Sequence, residues 1–360
     1  MIEYIHAVPL VFVVSGSLLL FMAFLSFYTA QKMVQKIEQK SIPSAQELFD
    51  QDTYIPLLFG IIILFAIFSS VLALVNQPEY FFLALWQVAL ILVIFILYAY
   101  LQRLFSYTRP QFLFAQINKQ CLRAAQNGSN NLVFQKTDIL IEVIAKAAAT
   151  THISLASLAL QQLMFIIENF VKIGNHSISP DLLQSFIAYV SRRLEWLFEL
   201  SLQNKMMPIA EEIIATFGNM SLFFAKYHPP LTQLPLVFIE HCSDLAFQYN
   251  RDDVNIRTAA TLSELIKKFI LLSLEQRQSM KETMLLTLSH LEANIQKSFK
   301  KNKEINPALL MQPFAEIGEL LGQAHCDVLI DREEILTALK RILTAFNALD
   351  LIMQKKKQSV

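Results

Sequence analysis

The chain has 360 residues, 54% hydrophobic and 17% charged, with 30 Lys/Arg balanced by 30 Asp/Glu. Soluble domains run about 45–50% apolar and about 25% charged, so part of this chain is expected to lie outside water. The charge balance and the seven glycines, against the roughly 25 of average usage, argue against nucleic-acid binding and against phosphate-cradling folds.

The apolar excess sits at the N-terminus. Before Leu101 only Lys32, Lys36 and Lys40 are basic, and only Glu3, Glu38, Glu47, Asp50, Asp52 and Glu79 are acidic. Residues 7–30 carry no charge and are long enough to cross a bilayer, which takes about 20 residues. The first six residues hold Glu3 and no Lys or Arg, and Tyr28 sits where a small residue would precede cleavage, so a retained anchor is expected rather than a signal peptide. Residues 55–75 and 81–101 form two more spans. The short turn Asn76-Gln77-Pro78-Glu79-Tyr80 makes them an antiparallel hairpin. Tyr54, Tyr80, Trp86, Tyr98 and Tyr100 lie near the ends, where aromatic rings favour the headgroup zone.

Orientation follows from the basic residues. The loop 31–54 carries Lys32, Lys36 and Lys40; after the third span come Arg103, Arg109, Lys119, Arg123 and Lys136, with no acid between Glu79 and Asp138. The opposite side has no Lys or Arg. Positive charge stays inside, so the N-terminus is expected outside and the C-terminal part in the cytosol. The spans hold no ionisable residue, which weighs against an ion-coupled carrier. Gly16, Ala23 and Ala30 recur every seven residues and form a small-residue stripe for close helix packing, either on the chain's own hairpin or on a second copy.

The period of Ala30, Met33, Val34 and Ile37 carries the first helix past the span until Pro43 stops it. Ser44-Ala45-Gln46-Glu47 reads as a capping box opening a short interfacial helix. Residues 102–131 are a basic juxtamembrane helix and linker. Together with the 31–54 loop they supply seven cations, Lys32, Lys36, Lys40, Arg103, Arg109, Lys119 and Arg123, expected to meet anionic headgroups, each contributing about 1 kcal/mol. Gln126 to Asn131 is the clearest linker.

Residues 132–360 read as helix almost throughout, with no alternation of the strand kind. Start signals are Thr137-Asp138, Ser179-Pro180-Asp181, Asn306-Pro307 and Asp331 to Glu334. Gly174 is expected to close a helix begun near Ser154. Further breaks are expected near Asn204, His228-Pro229-Pro230, Asn250 to Asp253, Glu275, and Lys300 to Asn306. The segments starting at Leu155, Ile209, Thr258 and Gln312 are faintly alike, at spacings of 54, 49 and 54 residues. That is somewhat longer than the roughly 40–47 of HEAT and armadillo units, yet room for two antiparallel helices. The fold class is therefore all-α, and the cytosolic domain resembles a degenerate HEAT-like α-solenoid; an irregular helical bundle is the alternative.

Chemistry is hard to place. His241-Cys242 and His325-Cys326-Asp327 are the only pairs that suggest zinc or a nucleophile. Adjacent helical residues do not face each other, so no metal site is expected. Cys121, Cys242 and Cys326, an odd and widely spaced set, fit a reducing compartment rather than disulfides. Glu211-Glu212, Asp252-Asp253 and Glu333-Glu334 lie at helix starts, where the dipole favours acids. His152, His176, His228 and His290 read as lone surface or capping residues. Phe223-Phe224, Trp196 and Phe198 fit core faces, and Lys355-Lys356-Lys357 reads as a solvated tail. No catalytic residue and no cofactor is expected.

A membrane-anchored protein-interaction or scaffold module is the function this pattern favours. Its expected partners are membrane lipids and a protein bound by the helical domain, with homo-oligomers allowed and no nucleic acid. The alternative is a subunit of an oligomeric channel or transport assembly, assembled through the Gly16 stripe. Low glycine with abundant Lys, Gln and Asn suggests an AT-rich bacterial genome, and hence the bacterial inner membrane.

Overall fold

The computed structural model describes residues 2–75, 80–177, 179–276, 280–301, 307–323 and 333–344. Every regular element among them is helical. The expected turn at Asn76 to Glu79, the start signals at Asn306 and Asp331, and the Lys355 to Lys357 tail lie outside the described residues. Two compact units divide the chain, Met1–Gln120 and Cys121–Val360.

The first unit is built on α1 (Ile2–Lys40), α2 (Ala45–Asp50), α3 (Tyr54–Leu74), α4 (Tyr80–Ser106) and most of α5 (Pro110–Gln126). α1 runs unbroken to Lys40 and closes where the Ile42 N–H bonds back to the Ile37 carbonyl at 3.0 Å. α3 lies along α1, and α4 packs on both. Gly16 is why the first two approach so closely. A Cβ there would meet Ser69 Cβ at 3.1 Å and the Ala66 Cα at 3.2 Å. Ala23 and Ala30, further along the same stripe, are fully buried. The stripe is thus filled by the chain's own helices, and the Tyr100 hydroxyl reaches across to donate to the Ala23 carbonyl at 3.3 Å.

Two residues read as headgroup aromatics do something else. Tyr100 is fully buried. Trp86 is 7% exposed, sits edge-on to Phe12 at 4.8 Å and donates its indole N–H to Ser69 Oγ at 3.0 Å. An indole N–H needs a partner when buried, and Ser69 supplies it between α3 and α4. Tyr54 and Tyr98 are exposed; the Tyr80 side chain is outside the description. The capping box also fails to form. Ser44 adopts a left-handed conformation at φ 62° and its side chain caps nothing, because the reversal after α1 needs that residue for the turn itself. α2 is no free interfacial helix either, since Leu48 and Phe49 are buried.

In the second unit the helices fall into two rows. α6 (Asn130–Thr150), α8 (Pro180–Gln203), α10 (Gln233–Gln248) and α12 (Lys281–Lys301) are successive neighbours in one row. The helical segment 333–344 continues that row beside α12 through Lys281–Glu334 at 2.6 Å and Arg341–Glu292 at 3.4 Å. α7 (Ile153–Ser177), α9 (Met207–Tyr227), α11 (Asp252–Gln276) and α13 (Pro307–Gln323) form the other row. Contacts between α6 and α7, α8 and α9, α9 and α10, and α11 and α12 join the rows. The four faintly similar segments all fall on the second row. Their buried residues (Ala159 and Leu163; Ile213 and Phe217; Leu262 and Ile266; Phe314 and Ile317) seal the core between the rows.

Helix boundaries follow turn chemistry. Ser179 caps α8 by accepting the Leu182 N–H at 3.3 Å, and Gly128, at φ 70°, turns the chain between α5 and α6. Two start or stop signals are overrun. α6 passes straight through Thr137-Asp138, because Thr137 returns its hydroxyl to the Val133 carbonyl at 2.9 Å, and α7 continues past Gly174 to Ser177.

The glycine contacts give a direct check. Gly16→Leu should lower the stability of the purified protein by about 1–3 kcal/mol, as overpacking against a backbone does, while Gly60→Ala, with open space around its Cβ, should be neutral or stabilising. Thermal melts in detergent read both; equal melting temperatures for the two variants would contradict this packing.

Candidate functional site

The densest polar cluster of the first unit gathers at Asp52, in the corner between α2 and α3. Two residues on, the Tyr54 N–H donates to Asp52 Oδ1 at 2.9 Å, an Asx turn that starts α3. Asp52 Oδ2 accepts twice more, from Arg103 Nε at 2.6 Å and from the Tyr107 hydroxyl at 2.8 Å. Those donors come from the end of α4 and the turn after it, 51 and 55 residues away in sequence. Aromatic rings enclose the guanidinium. Arg103 Cζ lies 4.9 Å from the Phe112 ring centre, 5.5 Å from Tyr54 and 5.8 Å from Tyr107. Phe49 of α2 closes the other side, edge-on to Tyr107 at 5.4 Å.

Burial alone would push the Asp52 carboxyl up. The hydrogen bonds from Arg103, Tyr107 and the Tyr54 N–H, with the Arg103 charge, outweigh it and hold the group below the ordinary carboxylate range. The Tyr107 phenol moves the opposite way, pushed up by burial and then by its bond to Asp52. At neutral pH the cluster is therefore an ion pair with a fixed phenol donor. It holds no poised acid, base or nucleophile. Its effect is to tie the α2–α3 corner to the end of α4.

Of the seven cations expected at the membrane surface, Lys32, Lys36, Lys40, Arg109, Lys119 and Arg123 are exposed. Arg103 is not a free surface charge, since Asp52 holds its Nε. Lys136, counted with the basic flank, is 3% exposed and belongs to the packed second unit. The sequence missed Asp52, because its partners are far along the chain. The absence of acids between Glu79 and Asp138 was the available signal, since it left Arg103 without a local partner.

A cleft of about 320 Å³ opens beside this corner, lined by Phe24 and Phe27 of α1, Phe49 and Asp50 of α2, and Asp52, Ile55, Pro56 and Phe59. In the second unit a groove of about 310 Å³ runs between α9 and α11, lined by Ala215, Gly218, Ala260 and Thr261 with Arg257, Glu264 and Lys268.

The cysteine and histidine candidates sit in the second unit. Cys121 and Cys242 are free and buried. Burial pushes the Cys121 thiol up to about 12, against a smaller opposing pull from Lys136, and raises Cys242 well above its ordinary value. Both are thiols at neutral pH and poor nucleophiles. His241 Nδ1 lies 3.2 Å from Glu195 Oε1 across to α8, not against Cys242. His290 is no lone surface residue. It is 8% exposed with Nδ1 2.9 Å from Glu240, and burial holds its pKa below the ordinary value despite that carboxylate, with Lys297 and His241 acting in the same direction. Among the described residues no group of three His, Cys, Asp or Glu is placed to hold a metal ion. His325, Cys326 and Asp327 lie outside them.

No protein-family model and no curated protein matches the chain. One solved structure aligned to it is a "Circular tandem repeat protein with novel repeat topology and enhanced subunit contact surfaces". It is 13% identical, with 93% of this chain and 85% of that one covered at a TM-score of 0.42. A likeness of that size does not establish a shared fold.

Asp52→Asn should destabilise the first unit by about 1–3 kcal/mol, less than a fully buried pair because Arg103 is partly exposed, and Tyr107→Phe by about 1 kcal/mol. The pH dependence has a definite sign. A depressed folded pKa gives stability that is present above the unfolded value of about 3.9 and lost as pH falls through the lower folded one. Acid titration of thermal stability should show that acid-side loss in the wild type and a smaller one in Asp52→Asn; identical acid limbs would contradict the lock.

Proposed function

We propose that the chain is a membrane-anchored protein-interaction module, in which α1, α3 and α4 span the bilayer and the two-row helical unit is an α-solenoid presenting a binding surface in the cytosol. The observation that carries the reading is the apolar surface of the first unit. Leu10 is 66% exposed, Leu64 66%, Leu74 84% and Phe95 67%, with Leu18, Phe21, Leu57, Ile67, Ile91 and Leu92 beside them. Water-facing monomers rarely carry contiguous apolar patches beyond a few hundred Å². At 1.5 Å per residue the 21 residues of α3 reach about 31 Å, which matches a hydrocarbon core of about 30 Å. The 39 residues of α1 reach about 58 Å, enough to cross and project beyond it.

Four described helices are long and apolar enough to cross a membrane, the fourth being Ile153–Lys172 in α7. We assign α7 to the protein interior instead. Ala156, Ala159, Leu160, Leu163, Ile166, Ile167, Phe170 and Val171 bury one helical face, and among its described side chains the large apolar residues exposed are Ile153 and Phe165. Three spans with exposed Lys32, Lys36 and Lys40 after the first support an outside N-terminus and a cytosolic C-terminus. The composition points to a bacterial inner membrane.

The solenoid reading is supported by the side-chain pairs between next-but-one helices. Asp138 with Tyr189, Glu195 with His241, Ser243 with Asn294, Ser157 with Glu212, and Lys267 with Glu316 are separated by 51, 46, 51, 55 and 49 residues. One period of two helices therefore brings equivalent positions together, the arrangement that gives stacked repeats a long binding surface. We assign no catalytic step or cofactor to the chain. The channel alternative loses support at the Gly16 stripe, because α3 packs on Gly16, and Ala23 and Ala30 are buried.

Topology reporters at both termini test the span number and the orientation. A C-terminal green fluorescent protein should fluoresce and a C-terminal alkaline phosphatase stay inactive, while an N-terminal phosphatase is active; both termini on one side would favour four spans. Cross-linking of the intact protein in its own membrane should recover a recurrent neighbour joined through residues of 132–344. Cross-links confined to residues of the first unit would contradict the interaction role.

A further inference from the structure

The cleft at the α1–α2–α3 corner spans a chemical boundary. One wall is formed by Phe24 and Phe27, at the end of the apolar stretch of α1, and Phe59, one turn into α3. The other end carries two carboxylates, Asp50 and Asp52, and no cation is among the lining residues. An occupant must therefore be an amphiphile, with its chain against the phenylalanines and its head at the acids.

The two acids differ. Asp52 is spent, with Oδ1 on the Tyr54 N–H and Oδ2 on Arg103 and Tyr107. Asp50 is exposed, and its Oδ1 accepts from Gln46 Nε2 at 2.9 Å, which orients the carboxylate and leaves Oδ2 for an outside donor. The guanidinium at the corner adds to the selectivity. Arg103 is held by Asp52 within its aromatic rings, so it does not offset the charge of Asp50. The head that fits is a cation able to donate hydrogen bonds.

We propose that this cleft binds one phospholipid with a primary ammonium head, of the phosphatidylethanolamine kind, the ammonium donating to Asp50 and an acyl chain lying along Phe24, Phe27 and Phe59. This rests on the reading of α1 and α3 as membrane spans, since only then does the cleft open at headgroup depth. A lipid seated there would pack against Phe49, which touches both Phe27 at 5.6 Å and Tyr107 at 5.4 Å, and so would brace the Asp52 lock.

Native mass spectrometry of the full-length protein in detergent tests it, after delipidation and addition of equimolar phosphatidylethanolamine and phosphatidylglycerol of matched chains. The wild type should retain one phosphatidylethanolamine in about tenfold preference, the size expected of one charge-assisted hydrogen bond. Asp50→Asn should bring the ratio close to one. Glu47→Gln, an exposed acid on the same helix outside the cleft, should leave it unchanged. Equal retention of the two lipids by the wild type, no retention of either, or an equal loss in Glu47→Gln would overturn the proposal. A lost lipid preference leaves the terminal reporters unaffected, so failure of the lipid site and failure of the anchor are separable.

Discussion

Aliphatic side chains that point outward along α1, α3 and α4 impose the constraint on which the rest depends. Each such side chain left in water forgoes about 25 cal/mol for every Å² it exposes, and a helix surface of this kind gains that energy only in a non-aqueous solvent. Once the first unit is assigned to the bilayer, the remaining features acquire places. Two polar groups on its apolar helices are paired, Trp86 with Ser69 and Tyr100 with the Ala23 carbonyl. Small residues bring backbones close together, as Gly16 does against Ala66, the packing that helices in lipid rely on.

In the proposed anchor, the Asp52 corner is where the apolar surface ends. A carboxylate 8% exposed would ordinarily be costly, yet three donors, one of them a guanidinium enclosed by rings, hold it ionised. The lock joins the start of α3 to the end of α4, so the two arms of the hairpin share one anchoring point. It also consumes one of the two acids that line the cleft, leaving Asp50 as the exposed one. In the second unit the polar pairs across each row work differently. They are mostly part-buried, and they fix which helix lies beside which.

Much of this was legible in the sequence because it is local. Uncharged runs gave the apolar helices, Pro43 and Ser179 marked a stop and a start, and the four faint segments fell on a single helical row. What was not legible depends on contacts distant in the chain. Arg103 read as a headgroup cation because Asp52 is 51 residues away. Trp86 and Tyr100 read as interface aromatics because hydropathy does not say which face of a helix meets another. Lys136 counted toward the basic flank, although α6 buries it. Ser44 satisfied the capping pattern, yet the chain reversal after α1 claims its backbone, and Thr137-Asp138 had the composition of a start while lying inside a continuous helix.

Extraction of isolated membranes with alkaline carbonate addresses the membrane assignment most directly, because it strips proteins held by charge and leaves those held by spanning helices. A chain anchored by α1, α3 and α4 stays wholly in the membrane pellet and is released by detergent. Its appearance in the carbonate supernatant would mean that the outward aliphatic surface is covered by protein rather than lipid, and would contradict the anchor.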